Sequence, residues 1–170
     1  LLILMFCFQD KQFGKILLFH PHVNPPAKVV SDIKPYKEYS FERAYNGETY
    51  FWGLKPFAGD KLTINFLTAT QVNKYLFRSG NIEHPDDKFL NTTVEALPAD
   101  SAKMNATNDG YVVVGEFDAS GIAKGVIDIG PIKMLRLNVH SDMDNWVILS
   151  EVSERTFARE RTHTHTHSSL

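Results

Sequence analysis

The loop from Arg78 to Leu90 holds the side chains of this sequence that are best suited to binding chemistry. It concentrates carboxylates, an imidazole and an amide in a short polar stretch: Asn81, Glu83, His84, Asp86 and Asp87. Planar groups that accept and donate hydrogen bonds recognise sugar hydroxyls, and an aromatic face packs against the sugar ring. Loops on a rigid framework often carry binding sites. The composition therefore suits a neutral-sugar site, although charged loops more often only face water.

Catalysis finds little support in the residue pattern. The sole cysteine, Cys7, lies in the apolar opening run, and the sequence has no Gly-x-Ser-x-Gly, no His-Glu-x-x-His and no glycine-rich phosphate loop. Asp86 and Asp87 are adjacent, and adjacent side chains of an extended chain point in opposite directions. They are therefore not placed to act as an acid and base pair on one bond. We expect no catalytic residue in this chain.

The composition is that of an ordinary folded domain without a basic surface. The 170 residues are 43% hydrophobic and 22% charged, and the formal net charge is -2. A chain of this length and composition can bury the core of one domain. Nucleic-acid binding needs a basic face, so we expect no nucleic-acid partner. One cysteine cannot form an internal disulfide.

Short strands are the elements that must position the loop. Leu62, Ile64 and Phe66 alternate with polar neighbours, and so do Leu135, Leu137 and Val139. This period of two is typical of half-buried strands. Six further strands are predicted: Val29–Ile33, Tyr50–Leu54, Val72–Phe77, Leu90–Ala96, Tyr111–Phe117 and Trp146–Val152. Turn residues separate them, and no helical stripe is apparent after Lys28, so the sequence predicts an all-β antiparallel β-sandwich of the jelly-roll type.

The two ends differ in composition from the middle. We expect residues 1–9 to be a ragged leader, 10–27 a proline-rich connection from an upstream domain, 28–154 the sandwich, and 155–170 a low-complexity tail. The eight apolar residues from Leu1 to Phe8 fall short of the roughly 20 that span a membrane, so no membrane contact by this fragment is expected. The alternating histidines of the tail could chelate a metal, but a translated dinucleotide repeat explains them without function.

Three further features carry weaker expectations. Trp52 and Trp146 are assigned to the core, because aromatic residues in strands are most often buried there. No metal site is expected, although four carboxylates leave a structural calcium as a minor alternative: Asp32, Glu48, Asp60 and Glu151. Two Asn-x-Thr triplets make Asn91 and Asn105 candidates for N-glycosylation.

Ordered short motifs also give the sequence a family resemblance. They include Tyr50-Phe51-Trp52, Ser79-Gly80-Asn81, Glu83-His84-Pro85 and Leu90-Asn91-Thr92-Thr93-Val94-Glu95, with the densest stretch between Tyr75 and Glu95. In these motifs the chain resembles the C-terminal region of the α-1,3-mannosyl-glycoprotein 4-β-N-acetylglucosaminyltransferases, the N-acetylglucosaminyltransferase IV group. The resemblance covers roughly residues 10–152.

The resemblance implies a discoidin-like carbohydrate-binding module that recognises terminal β-N-acetylglucosamine on N-glycans. It places the sugar-binding aspartate on Asp87, with Gly80, Asn81, Glu83 and His84 shaping or lining the site. It also implies a whole enzyme of the Golgi lumen, a type II membrane protein whose upstream catalytic domain uses UDP-N-acetylglucosamine and a divalent metal. That domain and its membrane anchor are missing from this stretch, so we expect a fragment with no cofactor of its own. Whether it has any activity stays open.

Two residues of the loop depart from the pattern of that group. Asp86 stands where a glycine is usual, and Arg78 stands where a histidine is expected. An extra carboxylate beside Asp87 could change the affinity or the sugar preference. A sandwich that keeps the fold for a structural or protein-interaction role, without binding sugar, is the alternative function.

Overall fold

The computed structural model describes residues 24–100 and 109–155, and this part of the chain is almost entirely β-structure. Its elements, in chain order, are β1 (Ala27–Ser31), α1 (Phe41–Tyr45), β2 (Phe51–Gly53), β3 (Lys61–Thr70), β4 (Lys74–Ser79), β5 (Thr92–Pro98), β6 (Val112–Glu116), β7 (Ile122–Val126), β8 (Ile132–Val139) and β9 (Val147–Arg155). The leader, most of the connection and the tail proposed from the sequence lie outside the described residues.

Two antiparallel sheets form the molecule. One has five strands in the order β1-β3-β8-β5-β6, and the other has four in the order β2-β9-β4-β7. Every pairing between these strands is antiparallel. The predicted all-β antiparallel sandwich is confirmed.

The core lies between the sheets and follows the alternation seen in the sequence. Leu62 pairs with Leu137, and Ile64 pairs with Leu135, in the register of β3 and β8. All four are at most 1% exposed. Burying such a side chain fully stabilises the fold by about 1.5–3 kcal/mol. The alternation therefore fixes which face of each strand is inside.

Strand β7 was not predicted from the sequence, and the side chains on its two faces explain why. Its outward positions carry Ile122, Lys124 and the exposed Val126, whereas its inward positions carry only Ala123 and Gly125. A strand whose small residues face the core lacks the usual apolar alternation. Gly125 is needed because a Cβ atom there would lie 2.8 Å from the Tyr75 hydroxyl oxygen.

Helix α1 was also missed, because five residues are too few to show a helical period. Ser40 begins the helix, since its Oγ accepts a hydrogen bond from the Arg43 N–H at 3.4 Å. Phe41, Ala44 and Tyr45 are buried against the sandwich. The described part of the chain has no helix long and apolar enough to span a membrane.

One predicted strand begins later than expected. Leu90 was placed on the buried face of a strand with Val94 and Ala96, but it is 49% exposed. The next residue, Asn91, has a φ of 45°, a left-handed conformation that interrupts an extended strand. Strand β5 therefore starts at Thr92, which is buried.

Candidate functional site

The loop between β4 and β5 is fastened at both ends to a single residue of β9. The Gly80 N–H donates to the Ile148 carbonyl oxygen at 2.9 Å, and the Ile148 N–H donates to the Asp87 carbonyl oxygen at 2.9 Å. Gly80 has a φ of 73°, which glycine adopts without strain. A Cβ atom there would also approach the Pro85 carbonyl oxygen to 3.2 Å. The sequence therefore turns sharply at Gly80 and returns to the sheet at Asp87.

Side-chain hydrogen bonds hold the interior of the loop. Asn81 Oδ1 accepts from the His84 N–H at 2.7 Å, and the Asn81 N–H donates to the His84 carbonyl oxygen at 3.2 Å. The buried Ser79 Oγ accepts from the Phe89 N–H at 3.1 Å and donates to the Gly121 carbonyl oxygen. Asn81 and Ser79 thus keep a long polar loop in one conformation on the sandwich.

Asp87 and His84 lie together on one side of this loop. The Asp87 Oδ2 is 3.9 Å from His84 Nδ1, and the side chains of His84 and Asp87 are 41% and 18% exposed. The carboxylate is mostly sheltered yet still reaches the surface, which strengthens a hydrogen bond to a ligand relative to one in open water. The neighbouring Asp86 is exposed.

An aromatic patch adjoins His84. We define it as Tyr36, Tyr39, Tyr50, Trp52 and Trp146. The Trp52 ring centroid is 4.8 Å from that of His84 and 5.7 Å from that of Trp146. Tyr36 is 5.0 Å from Trp52 and 5.1 Å from Trp146 by the same measure. Such tilted and edge-to-face contacts hold the rings in fixed orientations.

The prediction that Trp52 and Trp146 are core residues is wrong. Both are only half-buried, and the neighbouring Phe51 fills the core instead, with 0% exposure. Trp52 lies opposite Ile148 in the β2–β9 pair, on the face of the sheet that the loop covers. Since successive side chains of a strand alternate, Trp52 faces outward when Phe51 faces inward.

The structure places the residues that the sequence predicted in and around one loop. The structure brings Asp87 and His84 together, and it gives Gly80 and Asn81 the task of shaping the loop. No sequence motif assigned a role to Tyr36. The fold brings this residue to Trp52 and Trp146. Turn signals around Pro35 gave no indication of that position.

Glu83 lies at the rim of the site, on the side of Tyr50. It is exposed, and burial of Tyr50, its contact with Tyr39 and the nearby Glu83 and Glu38 carboxylates raise the pKa of the Tyr50 hydroxyl. Glu83 therefore adds negative charge beside the aromatic patch and makes no hydrogen bond within the turn at Asn81.

The two glycosylation candidates have different outcomes. Asn91 is exposed and stands just before β5, so its side chain is accessible; the strand position expected for it is corrected to a turn. Asn105 lies outside the described residues.

The carboxylates of the calcium alternative do not gather in one place. Asp32 Oδ2 accepts from the Lys61 N–H and Asp60 Oδ2 from the Phe57 N–H, while Glu48 pairs with Arg43 and Glu151 with Arg78. Within residues 24–100 and 109–155, no three histidine, cysteine or acidic side chains are grouped so as to hold a metal ion. The structure therefore gives the calcium alternative no support in this region.

A family model described as the MGAT4 C-terminal domain matches residues 27–151. The chain is 45% identical over 161 residues to Alpha-1,3-mannosyl-glycoprotein 4-beta-N-acetylglucosaminyltransferase B of Danio rerio and 40% identical over 161 residues to the protein of the same name of Homo sapiens. Each match covers 85% of this chain and 29% of the relative. The chain thus spans less than a third of the length of these relatives.

Two solved structures that match this fold are carbohydrate-binding domains. Chitosan-binding module 1 of a chitosanase/glucanase from Paenibacillus sp. IK-5 matches with a TM-score of 0.59 at 12% identity, covering 81% of this chain and all of that one. The lectin domain of lectinolysin, complexed with Lewis B antigen, matches with a TM-score of 0.56 at 10% identity, over 81% and 97% of the two chains. At such low identity these likenesses show the fold alone.

Proposed function

Because this chain belongs to the MGAT4 C-terminal domain family, we propose that its sandwich is a lectin-like domain that binds terminal β-linked N-acetylglucosamine on N-glycans. One observation carries the proposal: a sheltered carboxylate, an imidazole and an indole converge at the surface. Asp87 and His84 approach to 3.9 Å, and the rings of His84 and Trp52 are 4.8 Å apart. The family is named for a transferase of N-acetylglucosamine, and the solved structures of this fold named above are carbohydrate-binding.

In the proposed binding mode, Asp87 accepts hydrogen bonds from two neighbouring sugar hydroxyls. Hydrogen bonds to a charged acceptor contribute about 1.5–3 kcal/mol, more than those to a neutral one. The His84 ring, held by the turn at Asn81, hydrogen-bonds a further polar group of the sugar. The aromatic patch packs against the C–H face of the ring or against the acetamido methyl group. Gly80 and Asn81 shape the loop, and Glu83 borders the site.

We expect weak binding of a single sugar residue. A monosaccharide on an open surface buries few atoms, which places its dissociation constant roughly in the high micromolar to millimolar range. Two or more terminal residues on one branched glycan raise the effective affinity without new contacts. Such a domain would hold a glycan near a catalytic centre and still release it.

The whole protein is proposed to be an N-glycan-branching transferase of the Golgi lumen, with an upstream catalytic domain as the partner of this sandwich. The names of the relatives support this, and the chain covers only 29% of their length. UDP-N-acetylglucosamine and a divalent metal would belong to that upstream domain.

The test is a titration of the 170-residue chain with methyl β-N-acetylglucosaminide, followed by amide chemical shifts. We expect shifts at His84, Asp87 and the Trp52 indole N–H. Asp87→Ala should abolish them. Asp86→Ala is the matched control, since it removes an exposed carboxylate one position away and should leave binding within about two-fold of the parent.

Two results would contradict the proposal. A folded chain that shows no shifts with the sugar would favour a structural or protein-interaction role for the sandwich. Equal loss of binding in Asp86→Ala and Asp87→Ala would mean that general negative charge, and not the Asp87 site, attracts the ligand.

A further inference from the structure

The loop that carries Asp87 has a second side, which borders an open surface cavity of about 510 Å³. Its lining includes Arg78, Asn81, Ile82, Lys88, Ser120 and Ser150. Ser120 belongs to the turn between β6 and β7, while Arg78 and Ser150 lie on β4 and β9. The volume falls within the range of about 300–1,000 Å³ that small-molecule sites occupy. Three separate parts of the fold thus converge beside one loop.

The lining offers donors and acceptors in alternation. Arg78 Nε donates to Glu151 Oε2 at 3.2 Å, and Ser150 Oγ donates to the Arg78 carbonyl oxygen at 3.0 Å. Lys88 adds an ammonium group, and Ser120 adds an exposed hydroxyl. Glu151 also lines the cavity and pairs with Arg78, so the cavity holds charges of both signs, and its ammonium, carboxylate and hydroxyl groups can each bond a hydroxyl of a neutral ligand.

An apolar edge completes the cavity at the tip of the loop. Ile82 is fully exposed, and Pro85 beside it is also exposed. A sugar ring presents hydroxyls at its rim and C–H groups on its faces. The few polar side chains of the lining and its apolar surface, including Ile82, together match both kinds of surface.

The cavity and the candidate site are two sides of the same short turn. Asn81 lines the cavity, and its Oδ1 accepts from the N–H of His84, which belongs to the site, at 2.7 Å. Gly80 also lines the cavity, and its N–H is bonded to Ile148, which in turn holds Asp87. A ligand of several residues that lies over the loop would reach both sides.

We propose that this cavity is a second subsite, which binds an inner or neighbouring residue of the oligosaccharide whose terminal residue sits at Asp87. The inference rests on the proposed function and deepens it from recognition of one sugar to recognition of a branched oligosaccharide. Arg78, Lys88, Ser120 and Ser150 are its polar contacts, and Ile82 packs against the ring.

The experiment compares two ligands on the 170-residue chain. Methyl β-N-acetylglucosaminide should shift the amides of His84 and Asp87 only. A biantennary N-glycan ending in N-acetylglucosamine should also shift the amides of Ser120 and Ser150 and bind at least about five-fold more tightly. Ser120→Trp, which fills the cavity, should remove the shifts at Ser150. It should also reduce the affinity advantage of the N-glycan over the monosaccharide to about two-fold. About two-fold is the statistical gain from having two terminal residues on one molecule. The monosaccharide affinity should not change in this variant. Ser120→Ala removes one proposed contact without filling the cavity, so it should keep the shifts at Ser150 and retain more of the oligosaccharide advantage than Ser120→Trp.

The outcomes separate this inference from the proposed function. If the N-glycan shifts His84 and Asp87 but not Ser120 or Ser150, the second subsite is refuted and the lectin function stands. If Ser120→Trp leaves the oligosaccharide advantage intact, the subsite is refuted as well. If neither ligand shifts His84 or Asp87, the proposed function fails, and the subsite that depends on it fails with it.

Discussion

At the scale of single residues, Asn81 links the cavity to the candidate sugar site through one short hydrogen bond. Its Oδ1 accepts from the His84 N–H at 2.7 Å and so sets where the imidazole lies. Asn81→Ala removes the acceptor, whereas Asn81→Asp keeps an oxygen at the same position. A net contribution of about 1 kcal/mol for this bond corresponds to about five-fold in a local opening equilibrium.

We therefore expect hydrogen exchange at the His84 amide to be about five-fold faster in Asn81→Ala than in the parent. Asn81→Asp should retain the protection, and the Phe89 amide, which donates to Ser79, should be unaffected in both variants. Equal protection of His84 in the alanine variant would show that the turn holds without the side chain.

The residue types of the site could be predicted from the sequence, but the contacts between distant residues could not. Asp87 and His84 stand in one polar loop, so their proximity follows from local spacing. Trp146 and Tyr36 come to Trp52 only through the pairing of β2 with β9 and the bridge of Pro35 to Gly53. Long-range pairing is not encoded in local periodicity, which also made the two tryptophans look like core residues.

At the scale of elements, Tyr75 connects the two sheets and accounts for the lack of a side chain at Gly115 and Gly125. Its hydroxyl donates to the Val114 carbonyl oxygen at 3.0 Å, from β4 across to β6. A Cβ atom at Gly115 would collide with this hydroxyl oxygen but would stay 3.3 Å from the ring carbon Cζ. A Cβ atom at Gly125 would lie 2.9 Å from the ring carbon Cε1 and 3.0 Å from Cζ. Removal of the hydroxyl should therefore relieve the first clash and leave the second.

The prediction is a double-mutant cycle measured by urea unfolding. Gly115→Ala and Gly125→Ala should each lower the free energy of unfolding by about 1–3 kcal/mol, as overpacking does. In a Tyr75→Phe background, the cost of Gly115→Ala should fall to less than half, whereas the cost of Gly125→Ala should persist. If both costs fall equally, the hydroxyl and not the ring excludes a side chain at both glycines; if neither cost falls, the hydroxyl does not exclude a side chain at Gly115.

Periodicity predicted the strands that place large apolar residues inward, such as β3 and β8. It failed for β7, where Tyr75 from the neighbouring strand occupies the space that a side chain of β7 would fill. The core volume is shared between elements, so a strand can be built from small residues when a large one faces it. The apolar pattern of one strand does not show that a side chain of a neighbouring strand fills its share of the core.

At the scale of the whole molecule, a buried acid ties the start of the described chain to its end. Glu154 on β9 is 3% exposed, and its Oε2 lies 3.4 Å from the Tyr45 hydroxyl oxygen of α1. The Tyr45 hydroxyl donates its single proton to the Pro25 carbonyl oxygen at 2.6 Å. The contact between Tyr45 and Glu154 therefore takes its proton from Glu154, and only the neutral acid has one to give. Asn24 Oδ1 accepts from the Glu154 N–H, and Tyr75 stands opposite Glu154 across the sheet. Burial raises the pKa of Glu154 to about 8.

Stability should therefore depend on pH in a defined direction. The folded chain keeps a proton on Glu154 that the unfolded chain releases above its ordinary pKa of 4.5, so the free energy of unfolding falls as pH rises from about 4.5 to about 8. The slope reaches at most about 1.4 kcal/mol per pH unit. At the acid end, burial alone would raise the pKa of Glu95, but hydrogen bonds from Asn138, Arg136 and Thr93 outweigh burial and lower it. Protonation of Glu95 therefore costs stability below about pH 4.5.

Together the two groups place the maximum of stability in the mildly acidic range, near pH 5. Thermal unfolding of the 170-residue chain at pH values from 4 to 9 should show a midpoint that falls steadily between pH 5 and 8. Glu154→Gln keeps the shape of a neutral acid without its titration, so it should flatten this alkaline slope and leave the acid slope unchanged. Glu151→Gln, on the same strand but exposed and paired with Arg78, should retain both slopes. An alkaline slope that survives in Glu154→Gln would show that a group other than Glu154 carries it, and would contradict the assignment of the bound proton to Glu154.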